Sequence, residues 1–243
     1  MASFVSLQTL INRTLQRASK EGSIDYTNAG NKFCTAAEIT DLLNSSLATE
    51  VYDLLRINVG ENYFRRTFTF FTQQGTLNYP LPGDFLSLIS VDVWLGGNYP
   101  ISAKRFYENQ RNMLRTVPFG WSAAYPVYYQ LQGSGVRASI AFRSAPSAGF
   151  KIDLNYCPTC PTLVNLIDQY DDVNGWSEIA VLDAATKLLI KSNELEKAQY
   201  LEQRKEKMKL RIAAMGPMRT AGEPETVNVI ENRQEPGDGW GMD

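Results

Sequence analysis

The chain has 243 residues, of which 44% are hydrophobic and 21% charged, and a formal net charge of −2. This length and apolar content suffice for one large domain or two small ones. Histidine is absent, which excludes imidazole-activated nucleophiles, imidazole general bases and histidine metal ligands. Neither a P-loop nor a dinucleotide-binding glycine motif occurs. We therefore expect no enzyme and no cofactor.

Nothing in the sequence predicts a membrane protein. No apolar run approaches the roughly 18 residues that a membrane-spanning helix needs. The first five residues do not resemble a secretory signal. We expect a protein that is made in the cytoplasm and has no membrane partner.

The N-terminal quarter predicts two amphipathic helices. The first has Ser3 as its N-cap, and its apolar residues recur at helical spacing: Phe4, Leu7, Ile11, Leu15 and Ala18. The second begins at a capping box, Thr35 to Glu38, and ends at Gly60. Its buried side is formed by Ile39, Leu43, Leu47, Val51, Leu54 and Leu55. We expect both helices to pack against each other and against the C-terminal helix.

The middle of the chain changes to the period of two that is typical of strands. Residues 63–72, 77–79, 85–94, 127–131, 136–142 and 150–156 alternate or are rich in aromatic and β-branched side chains. This alternation predicts an antiparallel sheet with one face in water. Between Ser102 and Arg115 the spacing predicts a short helix, with Phe106, Gln110 and Met113 or Leu114 facing inward.

The last third predicts one continuous helix from Trp176 to Met215. Apolar residues recur there at intervals of three, four or seven, and Gly216-Pro217 stops the pattern. An unbroken helix of this length would extend for roughly 60 Å at 1.5 Å per residue. Because a compact domain of this size needs less, we expect its second half to project.

Charge separates along this C-terminal region. Five cations lie within eight positions of the helix, namely Arg204, Lys205, Lys207, Lys209 and Arg211. Residues 216–243 carry two arginines and six carboxylates, and their main apolar anchors are Val227, Val229, Ile230 and Trp240. The cations could form a solvated face or meet an acidic partner, such as the tail of another copy. Residues 226–230 could add as a short strand to a partner's sheet edge. We predict that these nine residues bind a partner protein or a neighbouring subunit.

Together the elements predict an α+β fold: a helical bundle from both chain ends, an inserted antiparallel β-rich region and a long projecting C-terminal helix. We assign residues 1–61 and 162–215 to the helical part. Residues 62–161 form the β-rich insertion, which includes the short helix. Residues 216–243 form an extended partner-binding tail.

Two clusters invite a chemical interpretation. Cys157 and Cys160 form a C-x-x-C pair, which suits a dithiol redox site, but no thioredoxin-like pattern precedes it and Pro161 follows it. A metal site would lack its fourth usual ligand. Asp168, Asp171 and Asp172 do not match a calcium-binding loop and predict a turn that leads into the last helix. We favour the structural interpretation of both clusters.

One motif and the order of elements resemble a known family. The Y-P-L-P-G-D-F stretch at residues 79–85 enters a strand, and Gly175-Trp176 opens the last helix. Over residues 4–215 the chain resembles the head-to-tail adaptor (connector) proteins of tailed bacteriophages, of the tail-tubular-protein-A kind. A structural role also accounts for the motif, because Pro80 and Pro82 fix an extended backbone and Asp84 can cap a turn.

The resemblance implies a structural virion protein in the neck between capsid and tail. It implies a ring, commonly of twelve copies, that joins the portal to further neck or tail proteins and continues the DNA channel, with C-terminal segments docked on the portal. No catalytic residue is carried over. The small net charge fits DNA that passes without specific binding. The alternatives are another neck or tail component, such as a stopper or tube-completion protein, a C-x-x-C dithiol oxidoreductase and, more weakly, a sugar-binding module.

Overall fold

The structure is a computed structural model, and it describes residues 4–22, 24–25, 33–96, 99–107, 121–122, 126–133, 135–147 and 149–215. Helices and largely antiparallel sheets are both present, which confirms the predicted α+β class. The predicted tail, with Val227, Val229, Ile230 and Trp240, lies outside the described residues.

The described N-terminal elements include three short strands and three α-helices. Strand β1 (Phe4–Ser6) leads into α1 (Leu7–Arg17), whose N-cap is Ser6 instead of the predicted Ser3. Short strands β2 (Ile24–Asp25) and β3 (Cys34–Thr35) pair in parallel. Helix α2 (Ala36–Ser46) begins at the predicted cap, where the Thr35 hydroxyl accepts a hydrogen bond from the Glu38 amide at 3.1 Å. It continues through a wider turn at Leu47–Tyr52 into α3 (Asp53–Val59), which ends at Gly60.

The C-terminal helix is broken, so the prediction of one continuous projecting helix is wrong. Helix α4 (Glu178–Lys191) has Ser192 as its C-cap, and the next residue, Asn193, adopts the left-handed conformation with φ of 60°. The Asn193 amide donates to the Ile190 carbonyl and the Glu194 amide donates to the Leu189 carbonyl, the hydrogen-bond pattern of a Schellman motif. Helix α5 (Leu195–Met215) then turns back and packs on α4 and α3.

One apolar core lies among α1, α2, α4 and α5. Its fully buried side chains include Leu10, Ile11, Ile39, Leu43, Leu47, Ile179, Leu182 and Leu188. Most of the predicted inward residues of the first two helices belong to this core. Leu201 and Ile212 join it from α5 and are 6% and 2% exposed. The same apolar period therefore continues across the turn at Asn193, because both helices bury their stripes in one core.

The β-rich region has two four-stranded sheets around a second core. One has the order β4 (Arg66–Phe71), β11 (Lys151–Pro158), β6 (Phe85–Trp94) and β7 (Ile101–Ser102), all antiparallel. The other has the order β5 (Asn78–Pro80), β10 (Ser139–Phe142), β9 (Tyr128–Gln132) and β8 (Lys104–Arg105), with β8 parallel to β9. Strand β12 (Gln169–Asp171) lies elsewhere and pairs with β1.

The predicted short helix is wrong at its start. Ser102 pairs with Asp92, and the amides of Ala103 and Lys104 donate to the carbonyls of Val91 and Val127 at 2.8 Å. These backbone hydrogen bonds complete sheet ladders. The stabilisation that they provide outweighs the helical preference that the side-chain spacing predicts. The remaining residues of that prediction, from 108 to 115, lie outside the described residues.

Candidate partner-binding surface

The five cations that were predicted to bind a partner all lie on α5. Their side chains point in different directions and therefore differ in burial. Lys205 is buried, with 5% of its surface exposed. Arg204 and Lys209 are half-buried, whereas Lys207 and Arg211 are exposed. Because α5 folds back on α4 and α3, the helix face that carries Lys205 meets the protein's own interior.

Lys205 takes part in a buried ionic network centred on Asp183 of α4. The Lys205 Nζ atom lies 2.8 Å from Asp183 Oδ1, and Lys187 Nζ lies 2.7 Å from Asp183 Oδ2. The Ser46 hydroxyl of α2 donates to the same Oδ2 at 2.7 Å. Burial alone would raise the pKa of Asp183, but these two cations and the hydroxyl lower that pKa to about 2. The network therefore fastens α5 to α4 and α2.

Two further cations of the cluster also pair within the chain. Lys209 Nζ lies 2.5 Å from a Glu50 carboxylate oxygen and 2.9 Å from one of Glu206. Arg204 lies 3.8 Å from Glu178, whose carboxylate also accepts from Arg17 at 2.7 Å. These contacts hold the helical hairpin closed.

Lys207 and Arg211 make no ion pair with the described residues. Arg211 lines a cavity of about 190 Å³ with Trp176 and Met215, at the end of α5. Both cations thus lie in the half of α5 that leads into residues 216–243.

An exposed apolar surface lies on the loop between β11 and β12. Val164, Leu166 and Ile167 are 72%, 39% and 82% exposed. They adjoin a groove of about 450 Å³ that is lined by Val164, Leu166, Asn44 and the first turns of α2. We call Val164, Leu166 and Ile167 the loop surface.

Hydrogen bonds hold the loop surface in one shape. The Asp168 Oδ2 atom accepts from the amides of Val164 and Asn165, each at 2.8 Å. These backbone hydrogen bonds lower the pKa of Asp168 below its usual range. Asn44 donates to the Leu163 carbonyl at 2.8 Å and accepts from the Leu163 amide at 2.9 Å. Apolar side chains on such a braced loop are presented to a partner at low entropic cost.

The loop surface was not predicted from the sequence. Its signal was the apolar pattern V-N-L-I at residues 164–167, which lies outside every predicted helix and strand. An apolar run between regular elements is ambiguous in sequence, because apolar side chains are mostly buried and yet also form much of the accessible surface of a folded protein.

The motif at residues 79–85 connects the sheets. Tyr79 is 7% exposed, and its hydroxyl accepts from the Gln73 amide at 2.9 Å. Asp84 accepts from the Tyr156 hydroxyl at 2.9 Å and pairs with Arg66 at 2.8 Å. Every contact here is internal, so the structural interpretation accounts for the motif.

The cysteine pair has the environment of structural thiols. Cys157 is buried in β11 beside Tyr52, whose hydroxyl donates to the Pro158 carbonyl. Burial, followed by the nearby Asp53 carboxylate, raises the pKa of Cys160 to about 12. A redox-active C-x-x-C requires the opposite shift, because the thiolate is the nucleophile. Cys160 is therefore protonated at neutral pH.

The aspartate cluster does not form the single turn that the sequence predicts, because Asp171 lies in β12 while Asp168 and Asp172 lie on either side of that strand. Asp168 caps the loop, Asp171 accepts from the Tyr63 hydroxyl at 3.3 Å, and Asp172 accepts from the Ser177 amide at 3.1 Å. Asp172 also pairs with Arg13 at 3.4 Å. In the part of the chain that the structure describes, no three cysteine or carboxylate side chains lie close enough to hold a metal ion. Among the same residues no helix is both long and apolar enough to cross a bilayer.

The protonated Cys160 thiol argues against a dithiol redox site, and the exposed apolar loop surface is suited to binding a partner. The family model described as SU10 adaptor protein matches residues 3–223, and the chain belongs to this family. No curated protein matches the chain significantly. Family membership supports the bacteriophage adaptor class that the sequence resemblance implied, and with it a structural virion component.

Proposed function

We propose that the chain forms a ring that joins the portal to the tail in the phage neck and continues the DNA channel. In this proposal it is an adaptor of the tail-tubular-protein-A kind, with twelve copies in the ring. The helical part, residues 1–61 and 162–215, forms the platform, and residues 62–161 form the β-rich insertion. Membership of an adaptor family supports the proposal.

The loop surface is the observation that carries ring formation. A ring repeats one heterologous contact, in which a patch of one subunit fits a different patch of the next. Val164 and Ile167 are more than 70% exposed although Asp168 and Asn44 hold their loop rigidly. Apolar groups held in this way favour a preformed interface.

We further propose that residues 216–243 dock on the portal or on a neighbouring subunit through Val227, Val229, Ile230 and Trp240. Lys207 and Arg211 are the cations of α5 that can meet an acidic partner there. Arg204, Lys205 and Lys209 contribute by keeping the hairpin in place, since their charges are paired within the chain. The small negative net charge supports passage of DNA without tight binding.

Charge substitution on the loop surface tests the ring. The double variant Val164→Asp and Ile167→Asp should keep the melting temperature, because both side chains are exposed, and should abolish rings in negative stain and native mass spectrometry. Ile57→Asp, at a position 75% exposed on α3, is the matched control. Rings that persist in the double variant would refute the assignment of this interface.

Truncation tests the docking role of the tail. Removing residues 216–243 should leave the fold intact, since Ile212 is the last residue of the described core. Binding to the portal of the same phage should be lost, as measured by co-sedimentation with purified portal rings. If the truncated chain docked as well as the full one, the tail would have no part in docking.

A further inference from the structure

Strand β4 has one open edge. It pairs with β11 along its whole length, and among the described residues no strand pairs with its other side. Five of its six residues are exposed. An open edge offers backbone N–H and C=O groups to another chain.

The register shows which residues of β4 face outward. The Thr72 amide donates to the Phe150 carbonyl at 2.9 Å, in line with the pairs Phe70 to Ile152 and Phe68 to Leu154. In an antiparallel pair, alternate residues direct their backbone groups to opposite sides. Thr67, Thr69 and Phe71 therefore direct their N–H and C=O groups to the open edge.

This edge lacks the devices that usually protect a sheet. The strand reads R-T-F-T-F-F, without proline, glycine or lysine, and its register with β11 is regular throughout. Asn155 of β11 stiffens the same region. It is 1% exposed, accepts from Arg65 and Thr67, and donates to Ser90 and Asp92. The edge is thus regular and exposed, and β11 supports it from its paired side.

Residues 226–230 have the sequence properties of a complementary strand. They read T-V-N-V-I, rich in β-branched residues and free of proline and glycine, and Glu225 and Glu231 flank them. The open edge begins at two exposed arginines, Arg65 and Arg66. Because a glutamate flanks each end of the segment, one of the two can lie near these arginines whether the segment adds to β4 in the parallel or the antiparallel direction.

The position of the end of α5 bears on which subunit's β4 edge residues 226–230 can pair with. Met215 shares a cavity with Trp176, and the Trp176 ring lies 6.3 Å from the ring of Tyr63, three residues before β4. Ten residues, 216–225, separate Met215 from the segment, and they include Pro217 and Pro224. Fully extended, they span about 33–36 Å, whereas β4 is only about 20 Å long. A linker with this reach is long enough for residues 226–230 to pair with the β4 edge of an adjacent subunit.

We propose that residues 226–230 of one copy add as a strand to the open edge of β4 in the next copy. This proposal rests on the ring proposed above, which the strand exchange would link around its circumference. It assigns Thr69 as the central backbone contact of the acceptor. The side chains of Val227 and Val229 supply the apolar face of the added strand.

Cysteine cross-linking of the full chain tests the exchange. Phe71, which is 66% exposed, is changed to cysteine, and Val227, Asn228 or Val229 is changed in turn. Cys160→Ser removes the one native thiol that is not buried. Under mild oxidation at least one pair should give a ladder of covalent multimers on a non-reducing gel. Tyr99→Cys, 84% exposed and outside β4, is the matched control that should give none.

A second variant pair tests the backbone contact. Thr69→Pro removes an outward N–H and should reduce cross-linking by about tenfold, whereas Thr69→Val keeps that N–H and should leave the yield within about twofold. Both variants lose the hydrogen bond that the Thr69 hydroxyl donates to Asp153, so this loss does not distinguish them. Mass photometry of the same samples counts rings.

The outcomes separate the two proposals. Rings without cross-links at any pair would overturn the strand exchange and leave the ring standing. Cross-linked monomers would show that the segment pairs within its own chain, which also overturns the exchange. Covalent multimers without rings would support the exchange and count against the ring. Equal yields from Thr69→Pro and Thr69→Val would refute the backbone contact.

Discussion

Removing the Asp183 carboxylate should destabilise the protein strongly, because it leaves a buried cation without its main partner. Lys205 is 5% exposed and lies 2.8 Å from Asp183. Deleting one member of a buried pair costs about 3–5 kcal/mol. Lys205 keeps a contact with Glu202 at 2.8 Å, so we expect Asp183→Ala to cost about 3 kcal/mol, the lower end of that range.

Two variants calibrate this value. Lys205→Met removes the buried cation and leaves Asp183 with Lys187 and Ser46, so it should cost about 1 kcal/mol. Lys187→Ala breaks a half-exposed pair in one helix and should cost less than about 1 kcal/mol. Urea unfolding followed by circular dichroism measures all three. A cost for Asp183→Ala no larger than that for Lys187→Ala would refute the reasoning.

The same carboxylate predicts a pH dependence of stability. Its pKa is about 2 in the folded chain, against about 3.9 in an unfolded one. A carboxyl group whose pKa is lower in the folded chain stabilises the fold at any pH above its unfolded pKa. This contribution disappears as the pH falls through its folded pKa. The difference corresponds to about 3 kcal/mol, lost between about pH 5 and pH 1. Asp183→Asn should flatten that part of the curve.

Three further predictions concern the turn, the thiols and the sheet. Asn193→Ala should destabilise by about 1 kcal/mol in thermal melts, and Asn193→Gly should change little, because φ is 60° there. Cys160 should react with iodoacetamide at pH 8 about a hundred- to thousandfold more slowly than free cysteine, since its pKa is about 12; reaction at the free rate would contradict the burial. Asn155→Ala should cost about 2 kcal/mol in urea unfolding because it breaks four hydrogen bonds, whereas Thr69→Val, which breaks one exposed hydrogen bond to Asp153, should cost under about 1 kcal/mol.

The helices of the N-terminal quarter could be predicted because their signals are local. The stripe from Ile39 to Leu55 and the cap at Thr35 depend on residues a few positions apart, and the structure buries and caps them as expected. The break at Asn193 could not be predicted in the same way. The apolar period continues across it, since α4 and α5 bury their stripes in one core.

The candidate site shows the same division. The five cations of α5 are conspicuous in the sequence, but their roles depend on residues far away in the chain. Lys205 pairs with Asp183 and Lys209 pairs with Glu50 only because the hairpin brings those carboxylates close. The loop surface was missed because exposure of Val164 and Ile167 depends on how Asp168 and Asn44 hold the loop.

Sequence by itself determined the α+β class, the exclusion of histidine chemistry and the adaptor resemblance, because these depend on composition, local periodicity and a short motif. The tertiary structure decided that the C-terminal helix folds back instead of projecting, that Lys205 is buried, and that β4 has an open edge. Each of these depends on which distant segments pack together, and the energy of that packing outweighs the local pattern.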